Sequence, residues 1–145
     1  MYMRWNDKDV SSALLARAVW DAGARETVEA CLATDRDAAA FMNREHDDGR
    51  GIFLLGGRIY RYRAPAYYGN PRHQFWVDVR RLDTPEKFIA DLKSKGIGYV
   101  GIERAWFDPY EWFLDYPSAK TNILNVVASM KKIYDRNNIE IYQVP

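Results

Sequence analysis

The succession of apolar runs, glycine breaks and helix starts predicts an α/β domain with a mostly parallel sheet, and three stretches of sequence carry that prediction. Ile52 to Leu55 is a short apolar run with no polar alternation, the pattern of a strand covered on both faces. Thr84-Pro85-Glu86 opens a helix that Gly96 ends, and the apolar run Ile97 to Ile102 follows directly. Such a helix-to-strand unit is the building block of parallel sheets. Lys132-Ile-Tyr134 and Ile139 to Val144 bracket Asp135-Arg-Asn-Asn138, a turn-rich tetrapeptide between two strand-like runs. Together they give a Rossmann-like sheet of about five strands with flanking helices and a C-terminal antiparallel hairpin.

Along the chain, Ser11 to Trp20 places Leu14, Leu15, Ala18 and Val19 at helical spacing before Gly23 interrupts it. A second helical segment spans Arg25 to Ala33. Thr34-Asp35 then caps a third helix, whose stripe of Ala38, Phe41 and Met42 ends at Asp47-Asp48-Gly49. After the first strand, Pro65 and the Gly56-Gly57 pair favour a helical turn and a second strand near Ala66 to Tyr68 over a hairpin. Arg72 to Leu82 has weak patterning, and Phe75-Trp76-Val77 reads as a loop packed by its aromatics. In the helix at Thr84, the hydroxyl is an N-cap, proline holds the first helical position, and Phe88, Ile89 and Leu92 build one face. Asp108-Pro109 starts a short helix holding Tyr110, Trp112 and Phe113. Ser118 caps the last helix, with Ile123, Val126, Val127 and Met130 facing inward.

Size and charge narrow the function classes. A chain of 145 residues with 48% hydrophobic content suits one domain, with residues 1–21 as a helical lead-in and 22–145 as the α/β unit. Lys and Arg number 21 against 20 Asp and Glu, so the whole-molecule field gives no drive toward nucleic acid. No window approaches the roughly 18 apolar residues of a membrane span. The single Cys31 has no partner for a bridge, and in Glu-Ala-Cys-Leu-Ala it has no adjacent histidine to activate it. It reads as a small buried residue. His46 and His73 stand apart without a second ligand at metal spacing. Gly56-Gly57 lacks the third glycine and the downstream acid of a dinucleotide fingerprint, so neither a metal nor a cofactor is expected.

Two constellations remain. Arg58, Tyr60, Arg61, Tyr62, Arg63 and Tyr67, with Tyr68 beside them, follow the first strand, at the carboxyl end where open α/β sheets bind ligands. Guanidinium offers a bidentate fork for phosphate, and tyrosine an apolar face with a polar tip for a sugar. The bland alternative is a solvated, sheet-covering segment. Trp106, Phe107, Tyr110, Trp112 and Phe113, followed by Tyr116, form the second group, suited either to core packing or to an interfacial belt. Asp108, Glu111 and Asp115 sit three and four residues apart, a spacing more usual for a solvated helix face than for catalysis.

One resemblance extends this reading. The order of a helical lead-in, Ile-Phe-Leu-Leu-Gly (52–56), Tyr-x-Ala-Pro-Ala-Tyr (62–67), Thr-Pro-Glu-x-Phe-Ile-x-x-Leu (84–92), Lys-Gly-Ile-Gly-Tyr-Val (95–100) and the closing Ile-Tyr-Asp and Ile-Glu-Ile-Tyr-Gln-Val segments resembles one family. It is similar to the carboxy-terminal extracytoplasmic domain of bacterial polytopic membrane glycosyltransferases related to the dolichyl-phosphate-mannose protein mannosyltransferases. The likeness runs from Ala22 to Pro145 and implies a non-catalytic accessory domain on the periplasmic face of the inner membrane. The polyprenyl-phosphate sugar donor and the catalytic acids would then belong to a transmembrane part outside this sequence. That implied partner, with the membrane surface, would dock on Trp106, Phe107, Tyr110, Trp112 and Phe113. The alternative is a free-standing cytosolic α/β domain that binds a phosphorylated ligand or single-stranded nucleic acid through Arg58 to Tyr68.

Overall fold

The computed structural model describes residues 16–24, 35–56, 61–70, 76–79, 84–108 and 117–145. The predicted helix from 25 to 33, with Cys31, and His73 lie outside them. In the described residues, helix α1 (Arg36–Glu45) leads into strands β1 (Gly51–Leu55) and β2 (Ala66–Tyr68). Helix α2 (Pro85–Ser94), strand β3 (Ile97–Glu103) and the single-turn helix α3 (Arg104–Phe107) follow, then helix α4 (Pro117–Ala128) and the hairpin β4 (Lys131–Arg136) and β5 (Ile139–Gln143). The five strands form one open mixed sheet in the order β2-β1-β3-β5-β4. β1 pairs in parallel with both β2 and β3, while β5 runs antiparallel to β3 and β4. The chain is thus α/β, parallel in one half of the sheet and antiparallel in the other.

Alternation along the strands divides the core into two layers. Ile52 and Leu54 turn toward α1, where Ala38, Met42, Tyr99, Tyr134, Ile139 and Ile141 join them. Phe53 and Leu55 turn the other way, toward Phe88 and Leu92 of α2 and Ile123, Val126 and Val127 of α4. Every residue of β1 is buried, as expected of a strand with helices on both sides and a neighbour along each edge. Burying Phe53 alone contributes about 2 kcal/mol through removal of apolar surface from water.

Local chemistry sets the element ends. The Thr84 side chain accepts from the Lys87 backbone N–H at 3.3 Å and Pro85 opens α2, as the sequence requires. Asp35 sits at the N-cap position of α1 but makes no side-chain cap; its carboxylate faces Arg61 instead, at 3.3 Å. α4 starts at Pro117, one residue before the expected Ser118 cap. Arg104–Phe107 is helical ahead of the predicted Asp108 start, because the chain turns directly out of β3 and Asp108 closes that turn with helical dihedrals. Residues 109–116 lie outside the described set. Asn137 and Asn138 hold φ of 54° and 60°, the paired left-handed conformation of a tight hairpin turn, which asparagine tolerates better than most residues.

Candidate functional site at the carboxyl edge of the parallel strands

The strand order creates one distinguished place. From β1 the chain moves to β2 on one side, then crosses to β3 on the other, so the path reverses direction between β1 and β3. In open α/β sheets the crevice beyond the carboxyl ends of two such strands is where ligands bind, because the connections leave in opposite directions and open a gap. Here that edge is made by Gly56 after β1, Tyr68-Gly69-Asn70 at the end of β2, and Glu103 running into Trp106 after β3.

Glycine lets these segments come close. Gly56 has φ of 99°, and a Cβ at that position would lie 2.8 Å from the Glu103 Cβ, 3.1 Å from Glu103 Oε2 and 3.2 Å from the Trp106 Cβ. Only a residue without a side chain allows the end of β1 to pass under the Glu103 carboxylate. Gly69 extends the β1–β2 pairing, donating to the Leu54 carbonyl at 2.7 Å, with its own Cβ position closed by Leu54, Leu55 and Phe53. Asn70 is consequently held at 4% exposure.

Three further side chains complete the edge. The half-buried rings of Tyr68 and Trp106 stand 6.2 Å apart at 55°, making an aromatic corner. The Tyr68 phenol is hydrogen-bonded to the Asn70 side chain. Burial raises the Tyr68 pKa, the Asn70 bond opposes that shift, and the negative charge of Glu103 adds to it, so the phenol stays protonated at neutral pH. The corner therefore gathers two half-buried aromatic rings, a neutral phenol with the buried Asn70 carboxamide bonded to it, and the Glu103 carboxylate over the end of β1.

Of the residues expected at this place from sequence, those that are described do not converge. Arg58 and Tyr60 lie outside the described residues. Arg61 pairs with Asp35, and its side chain is 20% exposed. Tyr62 packs against the buried cluster on the α1 face that includes Ala38 and Met42, and burial first, then the charges of Asp35, Tyr134 and Glu103, holds its phenol well above the ordinary tyrosine range. The Arg61 carbonyl and the Arg63 N–H both bond to the Asn43 carboxamide, at 2.9 and 2.8 Å, which fastens this segment to α1. The Arg63 side chain is exposed. Tyr67 lies on the opposite face of the sheet, its ring 4.5 Å from that of Trp76. Of the aromatic group, Phe107 is wholly buried in the α2–α4 layer and unavailable to a membrane surface, whereas Trp106 is partly exposed at the edge. Tyr110, Trp112 and Phe113 lie outside the described residues.

Sequence reasoning located the carboxyl end of β1 but missed Asn70 and Glu103. The available signals were Gly69-Asn70 directly after a strand and an acid at the end of the Gly98 to Ile102 run. Neither spacing falls in a motif, because residues from three separate strands meet only through the sheet.

A second polar cluster occupies the opposite edge. The Tyr99 hydroxyl donates to Asp48 Oδ2 at 2.6 Å and accepts from Arg50 Nη2 at 2.9 Å, with His46 Nδ1 3.5 Å away. Arg50 also grips Asp48 through Nε and Nη2, at 2.9 and 2.7 Å. The Arg50 bond draws the Asp48 pKa down to about 2, while burial raises that of Tyr99. Asp48 remains ionised and Tyr99 protonated around neutral pH, which suits a clamp on the turn into β1 rather than proton exchange. Among the described residues, no group of three His, Cys, Asp or Glu side chains could hold a metal ion. No described helix is long and apolar enough to cross a membrane. No protein-family model, curated protein or solved structure matches this chain.

Proposed function

We propose that this chain is a non-catalytic accessory domain of a membrane glycosyltransferase that uses a polyprenyl-phosphate sugar donor. In this reading it lies on the extracytoplasmic face of the membrane, docks on the transmembrane part of its own parent chain and helps to position acceptor or donor. The observation that carries the reading is the ordered series of motifs from Ile52 to Val144 that resembles such domains. Support comes from the way these motifs become β1, β2, α2, β3 and the closing hairpin of a single sheet. The finer description of the parallel half as Rossmann-like belongs to the same proposal and rests on its β2-β1-β3 order. The alternative of a phosphate or nucleic-acid binder is less well supported, because it needs Arg61 and Tyr62 at a binding surface while one is ion-paired and the other packed against α1.

A reporter fusion in the native reading frame tests the proposal. Alkaline phosphatase joined after Pro145 folds only outside the cytoplasm, and green fluorescent protein exported in unfolded form fluoresces only inside it. Active phosphatase in the membrane fraction is expected. Strong fluorescence with inactive phosphatase, or a reading frame with no hydrophobic spans, overturns the reading.

A further inference from the structure

We infer that Glu140 is the hub of an electrostatic latch that holds the single-turn helix α3 against the β4–β5 hairpin, and that losing this carboxylate lets α3 open while the two core layers stay folded. A helix of four residues lies far below the length that sustains itself in water, because nucleation fixes several dihedrals for one hydrogen bond. In α3 that bond runs from the Asp108 N–H to the Arg104 carbonyl, at 2.9 Å. Outside contacts must therefore hold the turn. At its far end Phe107 is buried in the α2–α4 layer and Lys120 Nζ donates to the Asp108 carbonyl at 2.6 Å; at its start Arg104 reaches the hairpin. Arg104 follows Glu103 directly, so the same contact fixes where β3 ends at the carboxyl edge.

The hairpin end is built around one side chain. Arg104 Nε and Nη2 each donate to Glu140 Oε2 at 2.7 Å, the Tyr142 hydroxyl donates to the same oxygen at 2.8 Å, and Lys132 Nζ donates to Oε1 at 2.8 Å. The Arg104 backbone N–H adds a bond to the Asn138 carbonyl at 2.8 Å, so main chain and side chain pull the same way. Lys132 and Arg104 in turn hold Asp135 and Asp108, at 2.9 and 3.5 Å. Charges thus alternate through Asp108, Arg104, Glu140, Lys132 and Asp135, from α3 across β5 to β4. Glu140 stands at the centre and, with its side chain 13% exposed, is the least solvated of the five. Burial opposes its charge, but the bonds from Lys132, Tyr142 and Arg104 prevail and hold its pKa below the ordinary glutamate value, so the latch is closed at neutral pH. Removing Glu140 leaves two half-buried cations side by side without their shared anion, whereas removing either outer acid takes away only an exposed partner.

Native-state hydrogen exchange of the 145-residue chain, followed by NMR across sub-denaturing urea, tests the latch. The Arg104 and Asp108 amides are expected to exchange through a local opening, faster than a core amide such as that of Ile52, which bonds the Pro65 carbonyl, and with little dependence on urea. Glu140→Gln, which keeps the shape and removes the charge, is expected to speed exchange at these two amides by about 10- to 100-fold, the worth of hydrogen bonds to a charged group, with Ile52 still the slower site. Arg104→Met is expected to act on the Asp108 amide in the same way, and the double variant to add little, because both changes break one contact. Lys131→Gln, at an exposed cation of β4 outside the alternation, is expected to leave exchange unchanged. Circular dichroism of each variant reports whether it folds. Amides of α3 that open only with the whole protein, at the urea dependence of Ile52, overturn the inference, and the wild-type chain alone decides this. Exchange that Glu140→Gln leaves unmoved overturns it, as do fully additive effects of the two substitutions. A Glu140→Gln chain that fails to fold overturns it too, since the carboxylate would then hold the whole core rather than α3.

Discussion

Gly56→Ala is the perturbation most directly dictated by the carboxyl edge. Two costs add. The residue holds φ of 99°, beyond the usual left-handed basin, and an L-residue there is strained by about 1–3 kcal/mol. The new Cβ would also sit 2.8 Å from the Glu103 Cβ, an atom fixed to the β3 backbone that cannot swing aside. Relieving that overlap by shifting β3 or the end of β1 costs a further 1–3 kcal/mol or so. The expected loss is about 2–6 kcal/mol, offset by less than about 1 kcal/mol from the stiffer unfolded chain. Gly96→Ala isolates the backbone-strain part. Gly96 has φ of 68° with nothing within 4 Å of its Cβ position, so strain alone operates and the net cost is about 1 kcal/mol. Urea unfolding of the three proteins, followed by far-ultraviolet circular dichroism at matched slope, gives both values. Equal destabilisation by the two substitutions would refute the close approach of Gly56 to Glu103 and, with it, the placement of the carboxylate.

Other outcomes follow from the same contacts. Tyr99→Phe deletes a hydroxyl that bonds Asp48 and Arg50 but leaves those two gripping each other, so about 1–2 kcal/mol is lost, read as a lower urea midpoint. Asp48 has its pKa lowered from 3.8 to about 2, so its contribution is complete above pH 4 and disappears as pH falls toward 2. Its side chain is 39% exposed, so screening keeps the effect small; Asp48→Asn is expected to flatten the stability profile across that window in acid titrations. Arg61→Ala removes the guanidinium 3.3 Å from the Asp35 carboxylate, which is buried at 5% exposure, and is expected to cost about 3 kcal/mol, with partial recovery in the Asp35→Asn double variant measured by thermal unfolding. Asn138→Gly, at φ of 60°, is expected to hold or raise the melting temperature by a degree or two, whereas Asn138→Val is expected to lower it by several degrees.

What the sequence determined by itself was local and periodic. The apolar run at Ile52 to Leu55 required cover on both faces, Thr84-Pro85 required a helix start, and the Asn137-Asn138 pair required a tight reversal; each depends on neighbours a few residues away. The site followed another rule. Arg61 and Tyr62 looked like ligand groups because charge and aromaticity are visible in a string, yet the fold pairs Arg61 with Asp35 and packs Tyr62 against the cluster around Ala38 and Met42 of α1. Only the tertiary structure decided that Asn70 and Glu103, distant in the chain, meet beside Tyr68 and Trp106. Strand order sets which carboxyl ends adjoin, and the missing side chain at Gly56 sets how closely they approach. Neither leaves a periodic trace, because both arise from contacts between strands rather than along one.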